Sequence, residues 1–175
     1  RILGVVEDAV NQGWGELLCG GHRMEGELAE GFFIEPTVFG DVDDRSPLVQ
    51  QETFGPVVSV TRFTHETDAV HAANDTVYGL NAYVFTSNLG RAHRVARQLE
   101  AGSVWVNSHS DIEPQSPYGG YKQSGFGRSG GVDPGAGEER GQPRGGVGDA
   151  GEHRSRDHGA VGVGDVDVVV GSSVD

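Results

Sequence analysis

The chain has a single cysteine and a single methionine among its 175 residues, and its aromatic side chains amount to 7%. One cysteine forms no intrachain disulfide, so nothing points to an oxidising compartment and the expected setting is the cytoplasm. Basic residues are also few: 13 Lys and Arg stand against 26 Asp and Glu, for a formal net charge of −13. Without clustered Lys and Arg, an electrostatic grip on nucleic acid or on an anionic membrane is not expected. No apolar run approaches the roughly 18 residues needed to span a bilayer, and there is no signal peptide with a charged start and a long apolar centre. The histidines, His65, His71, His93 and His109 among them, are too scattered to suggest a metal site.

The apolar fraction is 35% against 29 glycines, and the shortage is concentrated at one end. From Gly127 to Asp175 there is no Leu, Ile, Met, Phe, Tyr or Trp. Such a stretch cannot bury enough apolar area to offset the ordering of its backbone, about 1 to 2 kcal/mol per residue, and is expected to be disordered. Val166-Asp167-Val168-Val169-Val170 is the run that could form a strand if a partner edge were offered. The excess of Gly, Ala, Val, Asp, Glu, Arg and Pro after Gly131 is also what GC-rich coding DNA yields when read out of frame. The chain begins at Arg1 and enters a helical pattern at once, which reads as a piece whose upstream portion is missing.

The earlier residues are patterned. Ile2, Leu3, Val5, Val6, Ala9 and Val10 recur at spacings of three and four, which predicts an amphipathic helix ended by Gly13. Leu17-Leu18-Cys19 reads as a short strand with Cys19 a small buried hydrophobe, His22 to Gly31 as loop, and Phe32 to Phe39 as a second extended segment. Asp41 to Gln51 is a polar connection, and Val57, Val58 and Val60 make a strand whose β-branched run suits burial on both faces. Thr64 is the expected cap of a helix bearing Ala69, Val70 and Ala73; Leu80 to Phe85 is a strand; Ser87 or Asn88 caps a helix that ends by Gly102; Ser103 to Asn107 is a further strand. Strand, helix, strand, helix, strand with short links predicts the α/β class with a parallel sheet and flanking helices. Ligands of such sheets gather at the carboxyl ends of the strands, which puts Asn107 and the following loop to Tyr118 at a pocket.

Before the valine strand stands Gln51-Glu52-Thr53-Phe54-Gly55-Pro56. Pro56 fixes its own φ and moves Gly55 out of the helical region, so this is a shaped loop at the mouth of a strand. A Glu two residues from a Phe offers one hydrogen-bonding and one stacking surface to a single ligand; an exposed acid beside a core ring is the plainer alternative on spacing alone.

Four segments in order, Glu52 to Val57, Asn74 to Leu80 (NDTVYGL), Ala101 to Asn107 (AGSVWVN) and Pro117 to Arg128 (PYGGYKQSGFGR), resemble the C-terminal part of the NAD(P)-dependent aldehyde dehydrogenases. The resemblance makes residues 1–128 the C-terminal part of that catalytic domain and leaves 129–175 as a glycine-rich tail. It implies an oxidoreductase that converts a small aldehyde to a carboxylic acid with NAD or NADP, by way of a cysteine thiohemiacetal. Glu52 then takes the position that bonds the nicotinamide-ribose hydroxyls, and Phe54 the position against the nicotinamide ring. Asn107, Ile112 and Tyr118 match the segment that lines the aldehyde pocket, where Asp111 and Glu113 around Ile112 would suit a cationic aldehyde or be ordinary solvated acids. The family's nucleophile and general base lie upstream of Glu52, so no catalytic residue is assigned within this chain, and the piece alone is expected to be inactive.

Two positions depart from the family. Ser129 stands where most relatives have a Glu after G-x-G-R, so a proton relay through that position is not expected. The family also continues into an apolar helix and a strand that pairs across subunits to form a homo-oligomer, and here the glycine-rich tail takes its place. A non-catalytic interaction module or subunit keeping the same fold is the competing reading.

Overall fold

The computed structural model describes residues 1–109 and 112–131, with the backbone of Val170–Ser173. They fall into two compact units, Arg1–Phe63 and Thr64–Asp175, each built on a three-stranded sheet with one parallel strand pair.

In the first unit, α1 (Ile2–Gln12) turns Val6 and Ala9 into the core, as its three-and-four spacing requires. It stops at Gly13, whose φ of 66° is left-handed and easy only for glycine; the Gly13 and Trp14 N–H groups bond back to Val10 O and Ala9 O. β1 (Glu16–Cys19) pairs antiparallel with β2 (Thr37–Gly40), and β2 pairs parallel with β3 (Val57–Val60). One turn of helix, α2 (Pro47–Gln50), interrupts the polar connection, with Pro47 in the first turn where its missing N–H costs nothing. Phe39 from β2 is wholly buried among Val6, Ala9, Val42 and Leu48, and this cluster is the core of the unit.

In the second unit α3 (Glu66–Asn74), β4 (Asn81–Val84), α4 (Leu89–Ala96) and β5 (Ser103–Val106) follow in order, and β4 and β5 pair parallel from Asn81 with Ser103 to Val84 with Val106. The Asn88 carboxamide caps α4 by accepting from Arg91 N at 2.9 Å, and Ala92, Val95 and Ala96 are buried. Glu66 at the start of α3 takes both Nε and NH2 of Arg94 on α4 at 2.7 Å, with Arg91 Nε at 3.4 Å. The Arg94 bonds hold the Glu66 carboxyl below its ordinary range against the opposing pull of desolvation. Gly102 brings its backbone so close to Gly119 that a Cβ there would overlap the Gly119 carbonyl oxygen.

The α/β class, the parallel pairs and the flanking helices agree with the sequence pattern, and β3 occupies the predicted valine run. Several details differ. The strands belong to two small sheets rather than one series, since β3 pairs with β2 and β4 with β5. Val58 and Val60 are exposed at 56% and 46%, because no described residue covers that side of β3, so burial on both faces does not hold. Cys19 is exposed rather than buried: β1 is an edge strand, and the register shift between Leu17 and Cys19 breaks the inward alternation. The cap of α3 is His65, one residue after Thr64, because its N–H is the one the Asp68 carboxylate accepts, at 3.2 Å. A 3-10 turn (Gly26–Leu28) interrupts the 22–31 loop.

The expected disorder and frame change of the tail fall mostly on residues outside those described; of the stretch from Gly127 only residues 127–131 and Val170–Ser173 are described. Val170–Ser173 form β6, antiparallel to β4. Of the expected run Val166–Val170 only Val170 lies in this strand, the rest falling outside the described residues; the Val-Gly-Ser-Ser segment pairs with the edge of β4 opposite β5.

Candidate functional site

The Glu52 segment is a loop entering β3, and its backbone is held on both sides. Pro56 O accepts from Thr37 N at 2.8 Å, tying the loop to the start of β2, and Arg1 NH2 donates to Thr53 O at 2.6 Å. Gly55 passes so close to Ile2 that a Cβ would sit 2.6 Å from Ile2 Cδ1. Between these anchors Phe54 has φ of 50°, a left-handed conformation that costs a residue with a Cβ about 1 to 2 kcal/mol. The residue is 63% exposed, with the Arg1 guanidinium 5.7 Å from the ring centre, and Glu52 two residues before it is half-buried. The pinned loop thus presents an exposed ring with a carboxylate two residues before it.

Asn107, Ile112 and Tyr118 lie in the second unit. Asn107 leaves β5 with φ of 54°, and its carboxamide turns back onto Thr86: Oδ1 accepts from Thr86 N at 2.9 Å and Nδ2 donates to Thr86 O at 3.0 Å. The side chain thus imitates a backbone residue and carries the β4–β5 pairing one step beyond the strands. Ile112 is 54% exposed on the loop. Tyr118 is bonded at both ends, its backbone to Ser129 in both directions (2.8 and 2.9 Å) and its hydroxyl as acceptor from Asn81 Nδ2 at 3.0 Å. Asp111 lies outside the described residues. Ser129 therefore holds Tyr118 through its backbone.

The sequence pattern did not mark Asn81, Tyr83 or Thr86, and it placed His109 only within the loop that follows Asn107. Tyr83 pairs across the parallel ladder with Trp105, rings stacked at 5.4 Å, and His109 stacks on Tyr83 at 4.5 Å with planes 7° apart. This tier of three rings stands at the base of the loop that carries Ile112. The available signal was a polar Asn inside an apolar strand and one aromatic in each of two successive strands. Among the described residues no three His, Cys, Asp or Glu side chains gather to hold a metal ion, and no helix is long and apolar enough to cross a membrane.

The aldehyde dehydrogenase family, as a sequence family, matches residues 1–137. HpcC from Thermus thermophilus is 45% identical, with a TM-score of 0.71 over 75% of this chain and 26% of that one. A Mycobacterium tuberculosis aldehyde dehydrogenase complexed with NAD+ is 42% identical, with a TM-score of 0.71 over 75% of this chain and 26% of its own. A double mutant of betaine aldehyde dehydrogenase from Staphylococcus aureus, in complex with NAD+, is 43% identical, with a TM-score of 0.72 over 74% of this chain and 26% of its own. The chain spans about a quarter of the length of these solved structures.

Proposed function

Since the chain belongs to the aldehyde dehydrogenase family, we propose that its residues 1–131 serve the oxidation of a small aldehyde, supplying the nicotinamide-ribose contact and part of the aldehyde pocket. NAD or NADP, when bound, supplies the oxidising equivalent. Glu52 presents two acceptor oxygens to the vicinal ribose hydroxyls, a match of two acceptors to two donors. Phe54 lies against one face of the nicotinamide and limits its tilt without competing for hydrogen bonds. Asn107 fixes the start of the loop, and Ile112 and Tyr118 border the aldehyde.

The observation that carries this reading is Phe54: a large aromatic residue 63% exposed and at φ of 50°. Both features are unfavourable in isolation, and a planar ligand on the ring gives them a purpose. The attacking thiolate and the water-activating carboxylate are assigned to residues other than these. Cys19, the only cysteine, stands on β1 with its Sγ 3.9 Å from Pro36 O.

The test is the intact enzyme that contains this segment, assayed for reduced nicotinamide with short aldehydes. Turnover that falls on replacing Glu52 supports the reading. An intact enzyme that reduces neither NAD nor NADP with any aldehyde overturns it.

A further inference from the structure

All four residues of β4 are buried, and Asn81 is 2% exposed. An amide taken out of water is unfavourable unless its polar atoms find partners, and a leucine would fill the same space without that demand. Asn81 meets the demand only by half. Nδ2 donates to the Tyr118 hydroxyl at 3.0 Å, while Oδ1 has no partner among the described residues. A buried acceptor left unsatisfied beside one directed donor is the signature of a group kept for what the donor does.

What it does is pin a ring. Ser129 holds the Tyr118 backbone in both directions, and Asn81 holds the far end of the side chain, so the ring is fixed at both ends. The phenol oxygen accepts from Asn81, which leaves its own O–H to donate outward.

We infer that Asn81 is a positioning residue: it fixes the Tyr118 ring as one wall of the aldehyde pocket and turns the phenol O–H toward the substrate, favouring aldehydes that carry a hydrogen-bond acceptor over plain alkyl ones. This rests on Tyr118 bordering the aldehyde, as proposed above.

Steady-state kinetics of the intact enzyme test it, comparing Asn81→Leu, Tyr118→Phe and the double variant on an alkyl aldehyde and its ω-hydroxy counterpart. Asn81 is the buried member of this part-buried pair, so removing the Tyr118 hydroxyl strands its amide and removing Asn81 frees the ring, whereas replacing both by apolar groups of similar shape is close to neutral. Asn81→Leu raises KM for both aldehydes about five- to tenfold with kcat within about twofold. Tyr118→Phe raises KM for both, and more for the hydroxy aldehyde. In the double variant KM for the alkyl aldehyde returns to within about twofold of the parent, while that for the hydroxy aldehyde stays raised. A merely structural pair would not produce this split between substrates. If Asn81→Leu does not fold, Tyr118→Phe and the double variant make the same comparison. Single variants with unchanged KM, or a double variant as impaired as the product of the two, overturn the inference. A parent enzyme that oxidises no aldehyde is a different failure, that of the functional reading itself.

Discussion

The Asn107 carboxamide is bonded to both backbone groups of Thr86, N–H at 2.9 Å and C=O at 3.0 Å, as though it were one more residue of the strand. Thr86 is buried, so those groups have little access to water as a substitute. Asn107→Ala is therefore expected to cost about 1 to 3 kcal/mol, from a stranded N–H and C=O together with alanine's poorer tolerance of positive φ than asparagine's. Asn107→Gly removes the bonds but not the conformational freedom, and should cost less than the alanine variant. Urea unfolding of the three proteins measures both differences, and a glycine variant less stable than the alanine one contradicts the assignment of strain.

On the ribose contact proposed for Glu52, replacing it by Gln keeps the shape of the loop and one acceptor while removing a charge-assisted bond. The loss is on the order of 1.5 to 3 kcal/mol, or roughly tenfold to 150-fold in single-turnover hydride transfer of the intact enzyme. Acylation of its catalytic thiol by an ester substrate should be nearly unaffected. Unchanged hydride transfer refutes the ribose contact.

Much of this was readable from residue types. The spacing in α1 and α4, a cap at Ser87 or Asn88 and the valine run of β3 announce themselves because local periodicity and local hydrogen bonds decide them. Cys19, Val58 and Val60 misled because exposure depends on which element lies opposite, and nothing in an apolar run says whether a covering layer follows. His65 rather than Thr64 caps α3 because the choice was made by Asp68 three residues on, not by the capping residue's own side chain. That Glu52 and Phe54 stand on a loop at the mouth of β3 was legible from the Gly-Pro turn behind them. The Asn81 bond to Tyr118 joins residues 37 positions apart, and no periodicity reports such a pairing.

Phe54→Gly separates strain from function. Glycine accepts φ of 50° freely, and the ring it removes is mostly exposed, so unfolding free energy is expected to stay level or rise by about 1 kcal/mol. The intact enzyme carrying the same change should require more NAD(P)+ to saturate. A variant that loses stability while its cofactor KM stays unchanged shows the ring to be a packing residue.

The Glu66 carboxyl, held below its ordinary range by Arg94, gives the second unit a pH-dependent increment of stability. With its folded pKa lowered, the increment is present above the ordinary carboxylate range and disappears as pH falls through the folded value. Glu66→Gln should lower the unfolding midpoint by a few degrees or less at neutral pH, since the pair is near the surface, and the gap should close in acid. A gap that widens in acid has the wrong sign for this linkage.

β3 has β2 on one side and, among the described residues, no strand on the other, and its Val58 and Val60 side chains are open. A free edge beside exposed valines is a template for another chain of the same kind. The formal charge of −13 opposes that meeting through mutual repulsion, which dissolved salt weakens over a Debye length of about 10 Å at 0.1 M. Colloidal behaviour should consequently run against the usual salting-in of acidic proteins: the isolated polypeptide stays dispersed in dilute buffer and assembles through β3 as ionic strength increases.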